Sequence, residues 1–149
     1  MKVYLAADHA GFELKEKIKN YLSSQGYDVE DCGAFLFDKD DDYPEFISKA
    51  AEKVSQDQNS RGIVFGKSGA GEAIVANKFK NIRAVLGFSE SNVRLSREHN
   101  DANVLSLGSE FIDFEKAKVL IDIFLNTPFS GEERHVRRIE KIKKIEDNS

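Results

Sequence analysis

Short apolar runs alternate with amphipathic helical stripes along almost the whole chain, and that alternation limits the fold more than any other feature. Val3–Ala7, Gly62–Phe65, Ile82–Leu86 and Asn103–Leu107 are apolar or nearly so throughout, as strands buried on both faces are, and Tyr27-Asp28-Val29 opens a further strand. Between these runs, Leu14, Ile18, Tyr21 and Leu22 share one helix face. Ile47, Ala50, Ala51 and Val54 share a second, and Ala117, Leu120, Ile121 and Phe124 a third. Glu72–Lys78 and Ser89 to about Asn100 also read as helical. Gly26 closes the first helix, and Pro44 falls in the first turn of the second, where its missing N–H costs nothing. Strict strand–helix alternation with apolar strands predicts an α/β fold. The expected form is a three-layer αβα sandwich around a mostly parallel five-stranded sheet, Rossmann-like or flavodoxin-like. In such sheets ligands sit beyond the carboxyl ends of the strands, where strand order reverses.

The 149 residues contain no repeat or low-complexity linker and are expected to form a single domain, 1–149. Lys and Arg number 22 against 26 Asp and Glu, a net charge of −4, so nothing marks a nucleic-acid binder. One cysteine, Cys32, excludes an internal disulfide and a cysteine-rich zinc site. The first apolar run meets Asp8 and His9 too early for a signal-peptide core, and no other run could span a bilayer. A cytoplasmic protein without membrane partners is expected. From about residue 132, Val136, Ile139, Ile142 and Ile145 recur among six Arg and Lys residues. This predicts an amphipathic terminal helix that packs on its own domain or on a partner chain. Arg134 and Arg138 stand i, i+4 on it and point the same way, a workable clamp for one phosphate.

Chemistry concentrates in Gly66-Lys67-Ser68-Gly69-Ala70-Gly71, between a strand and a helix, where successive backbone N–H groups can turn toward an anion. A nucleotide P-loop is excluded, because the glycine required five places before Gly66 is Arg61. The dinucleotide fingerprint fails on its spacing too. Glu72 follows directly; on its position alone it is either a favourable partner for the helix dipole or a general base. His9, His99 and His135 all fall at element ends, but no spacing among them suits zinc. The run Asp38–Asp42 lacks the glycine and glutamate of a calcium loop and reads as a solvated segment entering a helix.

Asp8-His9-Ala10-Gly11-Phe12-Glu13-Leu14-Lys15, Asp42-Tyr43-Pro44, Gly69-x-Gly71 leading to Ala76-Asn77-Lys78, and Ile82-Arg83-Ala84 form an ordered series. It continues through Arg97-Glu98-His99-Asn100-Asp101-Ala102-Asn103-Val104-Leu105, Thr127-Pro128-Phe129 and Arg134-His135-x-x-Arg138. Together these resemble type-B ribose-5-phosphate isomerase, in a wider family that includes galactose-6-phosphate isomerase. The resemblance implies a homodimer or tetramer with sites between subunits, acting on a sugar phosphate through an enediolate, with no metal or other cofactor. Many members carry a cysteine base where this chain has Gly66. A second branch uses a glutamate after G-x-S-G-x-G, which Glu72 matches. By resemblance, His99 opens the sugar ring, Glu72 moves the proton between C2 and C1, and the amides of Gly66, Lys67, Ser68, Gly69, Ala70 and Gly71 stabilise the oxyanion. Asp8, Tyr43 and Asn100 match groups that hold sugar hydroxyls; His9, with Arg134 and Arg138 of a neighbouring chain, matches the phosphate grip.

Two positions depart from the family pattern. Leu107-Gly108-Ser109-Glu110 places a carboxylate where the family has an arginine, and Lys67 replaces a usual glycine. The expectation is that Lys67 supplies the missing positive charge, pairing with Glu110. Alternative readings are an isomerase of a six-carbon sugar phosphate or free aldose, or a non-catalytic sugar-phosphate-binding subunit.

Overall fold

The computed structural model describes residues 1–149. In chain order the elements are β1 (Lys2–Ala7), α1 (Phe12–Ser24), β2 (Asp28–Asp31), α2 (Tyr43–Gln56), β3 (Arg61–Gly66), α3 (Ala70–Ala76), β4 (Ala84–Leu86), α4 (Glu90–Asn100), β5 (Val104–Gly108), α5 (Phe114–Asn126) and α6 (Glu133–Asp147). Every strand pairing is parallel, and the order is β2-β1-β3-β5-β4. The α/β expectation holds, and the sheet is parallel throughout.

Two apolar layers cover the sheet. On one face Leu14, Ile18 and Leu22 of α1, Val93 of α4 and Leu120, Ile121 and Phe124 of α5 pack on Leu5, Ile63 and Leu105. On the other, Ile47, Ala50, Ala51 and Val54 of α2 and Ala76 of α3 meet Ala6, Val64 and Val104. Burying each such large aliphatic or aromatic side chain favours folding by about 1.5–3 kcal/mol. β4 starts two residues later than its apolar run suggests. The Arg83 amide donates to the Asn103 side chain (2.7 Å) and the Ala84 amide to Asn77 (2.8 Å), which shortens the ladder.

α6 buries only His135 and leaves Val136, Ile142 and Ile145 exposed, so its apolar stripe is mostly unused within the chain. Its far end is tied down where the Asn81 amide donates to Glu146 at 3.0 Å. No helix is long and apolar enough to cross a membrane.

Strand order reverses between β1, whose next strand lies to one side, and β3, which lies to the other. The carboxyl ends of these two strands lead directly into Asp8-His9 and Gly66-Lys67, where a doubly wound sheet opens its ligand crevice.

Candidate active site

The glycine-rich loop is braced from the side of β5. Its Gly66 carbonyl accepts from the Ser109 amide (2.8 Å), Lys67 from the Glu110 amide (3.0 Å), and Gly69 from the Ser106 hydroxyl (2.7 Å). Gly108 lies so close to Ser68 that a side chain there would strike the loop backbone, and Gly69 takes a left-handed φ of 82°. With the carbonyls of Gly66, Lys67 and Gly69 engaged from the β5 side, the loop has the amides of Lys67 and Ser68 left for an incoming anion.

Glu72 sits in the first turn of α3 and is 4% exposed. Its carboxylate lies against the α-carbon of Gly66, so closely that a Cβ at position 66 would fall under 3 Å from it. Burial pushes the Glu72 carboxyl above the ordinary glutamate range, and neighbouring Asp8 adds to the rise, while the amides of Glu72 and Gly69 pull the other way. A desolvated carboxylate beside an amide cradle is suited to taking a proton from carbon. The Tyr43 ring lies over Gly71, where a Cβ would approach its hydroxyl to 2.7 Å.

Asp8 is buried and accepts from the amides of Ala10 (3.0 Å) and Gly11 (3.3 Å), which fixes the turn into α1. His9 is held by a residue that sequence reading missed. One oxygen of Asp41 accepts both the His9 amide (2.9 Å) and its Nδ1 (2.7 Å). The Asp38–Asp42 run is therefore not solvated throughout: Asp38, Asp40 and Asp42 are exposed, whereas the Asp41 side chain is 6% exposed. Nothing in a run of four aspartates singles one out. Ser106 had a legible signal, since it is the one hydroxyl inside an otherwise apolar, fully buried strand.

Beneath this edge, the fully buried Lys15 ammonium meets Asp31 at 2.7 Å, and Asp31 also accepts from Lys19 and the Gly33 amide. Burial alone would raise the Asp31 carboxyl, but the two ammoniums and the amide together hold it below the usual carboxylate range. Gly33 and Ala34 bond the backbone of Ala7, immediately before Asp8.

His99, Asn100, Arg134 and Arg138 lie elsewhere. α4 runs back from the end of β4, and the carbonyls of Asn100 and Asp101 accept from Arg83 (2.9 and 3.1 Å), just before β4 begins. His99 and Asn100 thus occupy the amino edge of the sheet, about one strand length, roughly 17–20 Å, from the Glu72 edge. His99 stacks on the buried His135 of α6, with centroids 4.2 Å apart and planes at 17°. Burial, with His99 and Arg134 close by, lowers the His135 pKa. One chain therefore assembles Asp8, His9, Tyr43, the loop and Glu72 at one edge, and His99, Asn100 and the arginine helix at the other.

The expected Lys67–Glu110 ion pair is not formed. Both side chains are exposed, and their link is the backbone hydrogen bond, since a solvated pair gains too little to order two long side chains. Cys32 is buried, and burial raises its thiol to about 11, so it is inert as a nucleophile. Asp8, His9 and Asp41 are close enough to surround a cation, but one oxygen each of Asp8 and Asp41 and the Nδ1 of His9 are already taken by the hydrogen bonds above.

A family model described as Ribose/Galactose Isomerase matches residues 3–142. The chain belongs to that family. Ribose-5-phosphate isomerase B of Mycobacterium tuberculosis H37Rv is 44% identical over 146 residues, covering 98% of this chain and 90% of that protein. The Escherichia coli K12 protein of the same name is 39% identical over 145 residues, covering 97% of this chain and 96% of its own length. Ribose-5-phosphate isomerase B of Mycoplasma genitalium, solved with bound ribulose-5-phosphate, superposes with a TM-score of 0.95 at 38% identity, covering 99% of this chain and 97% of that one. The Clostridium thermocellum enzyme gives 0.95 at 40%, covering 99% of both chains.

Proposed function

We propose that this chain interconverts ribose 5-phosphate and ribulose 5-phosphate, with Glu72 carrying the proton between C2 and C1. The observation that carries the reading is the Glu72 carboxylate, buried against Gly66 beside a loop whose Gly66, Lys67 and Gly69 carbonyls are engaged on the far side. Starting from the aldose, Glu72 takes the C2 proton, and the C–H electrons form a C1=C2 bond that leaves negative charge on O1. The loop amides stabilise that oxyanion; losing one such donor typically costs about 2.7–4 kcal/mol of barrier. The O2 proton then passes to O1 as C2 becomes the carbonyl carbon, and Glu72 returns its own proton to C1.

Ring opening needs an acid besides the groups already assigned at the Glu72 edge, where His9 is taken up by the phosphate. His99 of a second copy supplies it in this reading, with Asn100 on a sugar hydroxyl and Arg134 and Arg138 on the phosphate beside His9. The separation of these groups within one chain and the unused apolar stripe of α6 support a homo-oligomer with composite sites and a terminal helix that reaches its neighbour. The buried free thiol of Cys32 accords with a cytoplasmic setting. The test is a coupled isomerase assay on ribose 5-phosphate with a panel of other aldoses and aldose phosphates. Wild type is expected to turn over ribose 5-phosphate best, and Glu72→Gln to lose about 10²–10⁴-fold in kcat. Full activity in Glu72→Gln would remove Glu72 as the base.

A further inference from the structure

We infer that Asp41 is a positioning residue that holds His9 in its doubly protonated form and so sets how phosphate affinity varies with pH. This rests on the reading of His9 as a phosphate ligand. The geometry is specific: one Asp41 oxygen takes both the main-chain N–H and the Nδ1 of His9, which fixes the ring about its own backbone. A carboxylate oxygen only accepts, so Nδ1 carries a proton. In the neutral ring that leaves a bare lone pair on Nε2, which repels a phosphate; in the cation Nε2–H donates to it.

The surroundings favour the cation. Asp41 and Asp8 both face the ring, and the hydrogen bond to Asp41 is the main influence raising the His9 pKa. Glu13, Glu16 and Lys17 of α1 line the adjoining groove, and Phe37 meets the ring edge-on at 6.4 Å. In the proposed assembly the second copy's Arg134 and Arg138 add positive charge that opposes the cation, which makes the local carboxylate more necessary. Asp41 also carries a cost that stability alone does not explain: its second oxygen is buried and has no hydrogen-bond partner.

The test uses Asp41→Asn, whose amide oxygen can still accept from Nδ1 while the charge is gone. With only three histidines, the His9 ring resonances are assigned in the full-length protein by single substitution. The His9 titration midpoint is expected to fall by about one unit, which above both midpoints cuts the cationic fraction about tenfold. The KM for ribose 5-phosphate should then rise about 3–10-fold near pH 8 yet stay within about twofold near pH 6, with kcat little changed. A purely structural role would raise KM equally at both pH values. An unmoved His9 midpoint, or a KM ratio flat with pH, overturns the inference. His9→Ala separates the two readings. If it raises KM while Asp41→Asn does not, only the role of Asp41 fails; if it leaves KM unchanged, the phosphate assignment of His9 fails and the role of Asp41 falls with it.

Discussion

The Glu72 carboxylate occupies the space that a side chain on residue 66 would need. Gly66 and Glu72 are therefore one unit: the absent side chain makes the room, and the carboxylate fills it. Gly66→Ala should expel the carboxylate and lower kcat/KM by at least about 10²-fold, the lower end of what a misplaced general base costs. Steady-state kinetics measures this, and retention of more than half the activity would contradict the packing.

Glu72 should also trade stability for chemistry. Its folded pKa is raised, so between the unfolded and folded values the native state binds more protons, and stability falls as pH rises through that window. At neutral pH the ionised, buried carboxylate is then a net cost. Glu72→Gln is expected to raise Tm at pH 7 by a few degrees, at about 2–4 °C per kcal/mol, and to lose that advantage at pH 4. Calorimetry at the two pH values checks both the sign and its reversal.

Asp31 has the opposite sign. Its folded pKa is depressed, so its contribution is fully present above the unfolded value, near pH 4, and is lost as pH falls through the folded value. Asp31→Asn leaves the fully buried Lys15 ammonium with only the more distant Glu16 carboxylate at 3.8 Å, which should cost up to about 3–5 kcal/mol at pH 7. The mutant's stability should also be flatter below about pH 4 than that of wild type. Urea denaturation across pH distinguishes this from a simple packing defect.

Subunit mixing tests the composite site. Glu72→Gln and His99→Asn should each be inactive alone. Unfolded together and refolded, the proposed dimer would be half hybrids with one intact site of two, so about a quarter of wild-type activity should return. No recovery despite verified hybrid formation would put Glu72 and His99 outside a shared site.

Legibility followed burial. β1, β3 and β5 are buried on both faces, so their apolar runs mark them directly. Gly69, Gly71 and Glu72 were readable because each demand is local: a turn, a close approach, a first-turn carboxylate. Asp41 was unreadable because its inward turn depends on a neighbour 32 positions away in sequence. The amino-edge location of His99 could have been read. A helix joining two parallel strands must return to the edge where the second begins, so its last turn cannot share an edge with β1 and β3 loops. The apolar run overstates β4 at its start because side-chain amides, invisible to a hydropathy pattern, replace ladder bonds there.

The braces on the glycine-rich loop also bear on when the molecule becomes competent. Residues 66–69 leave the ribosome some forty positions ahead of Ser106, Ser109 and Glu110, the groups that turn their carbonyls aside. Because β5 inserts between β3 and β4 instead of adding at the rim, the sheet must still admit a strand after β4 has been made. The glycine-rich loop is thus encoded mid-chain but set late, and a chain interrupted before residue 106 would carry it without its shape.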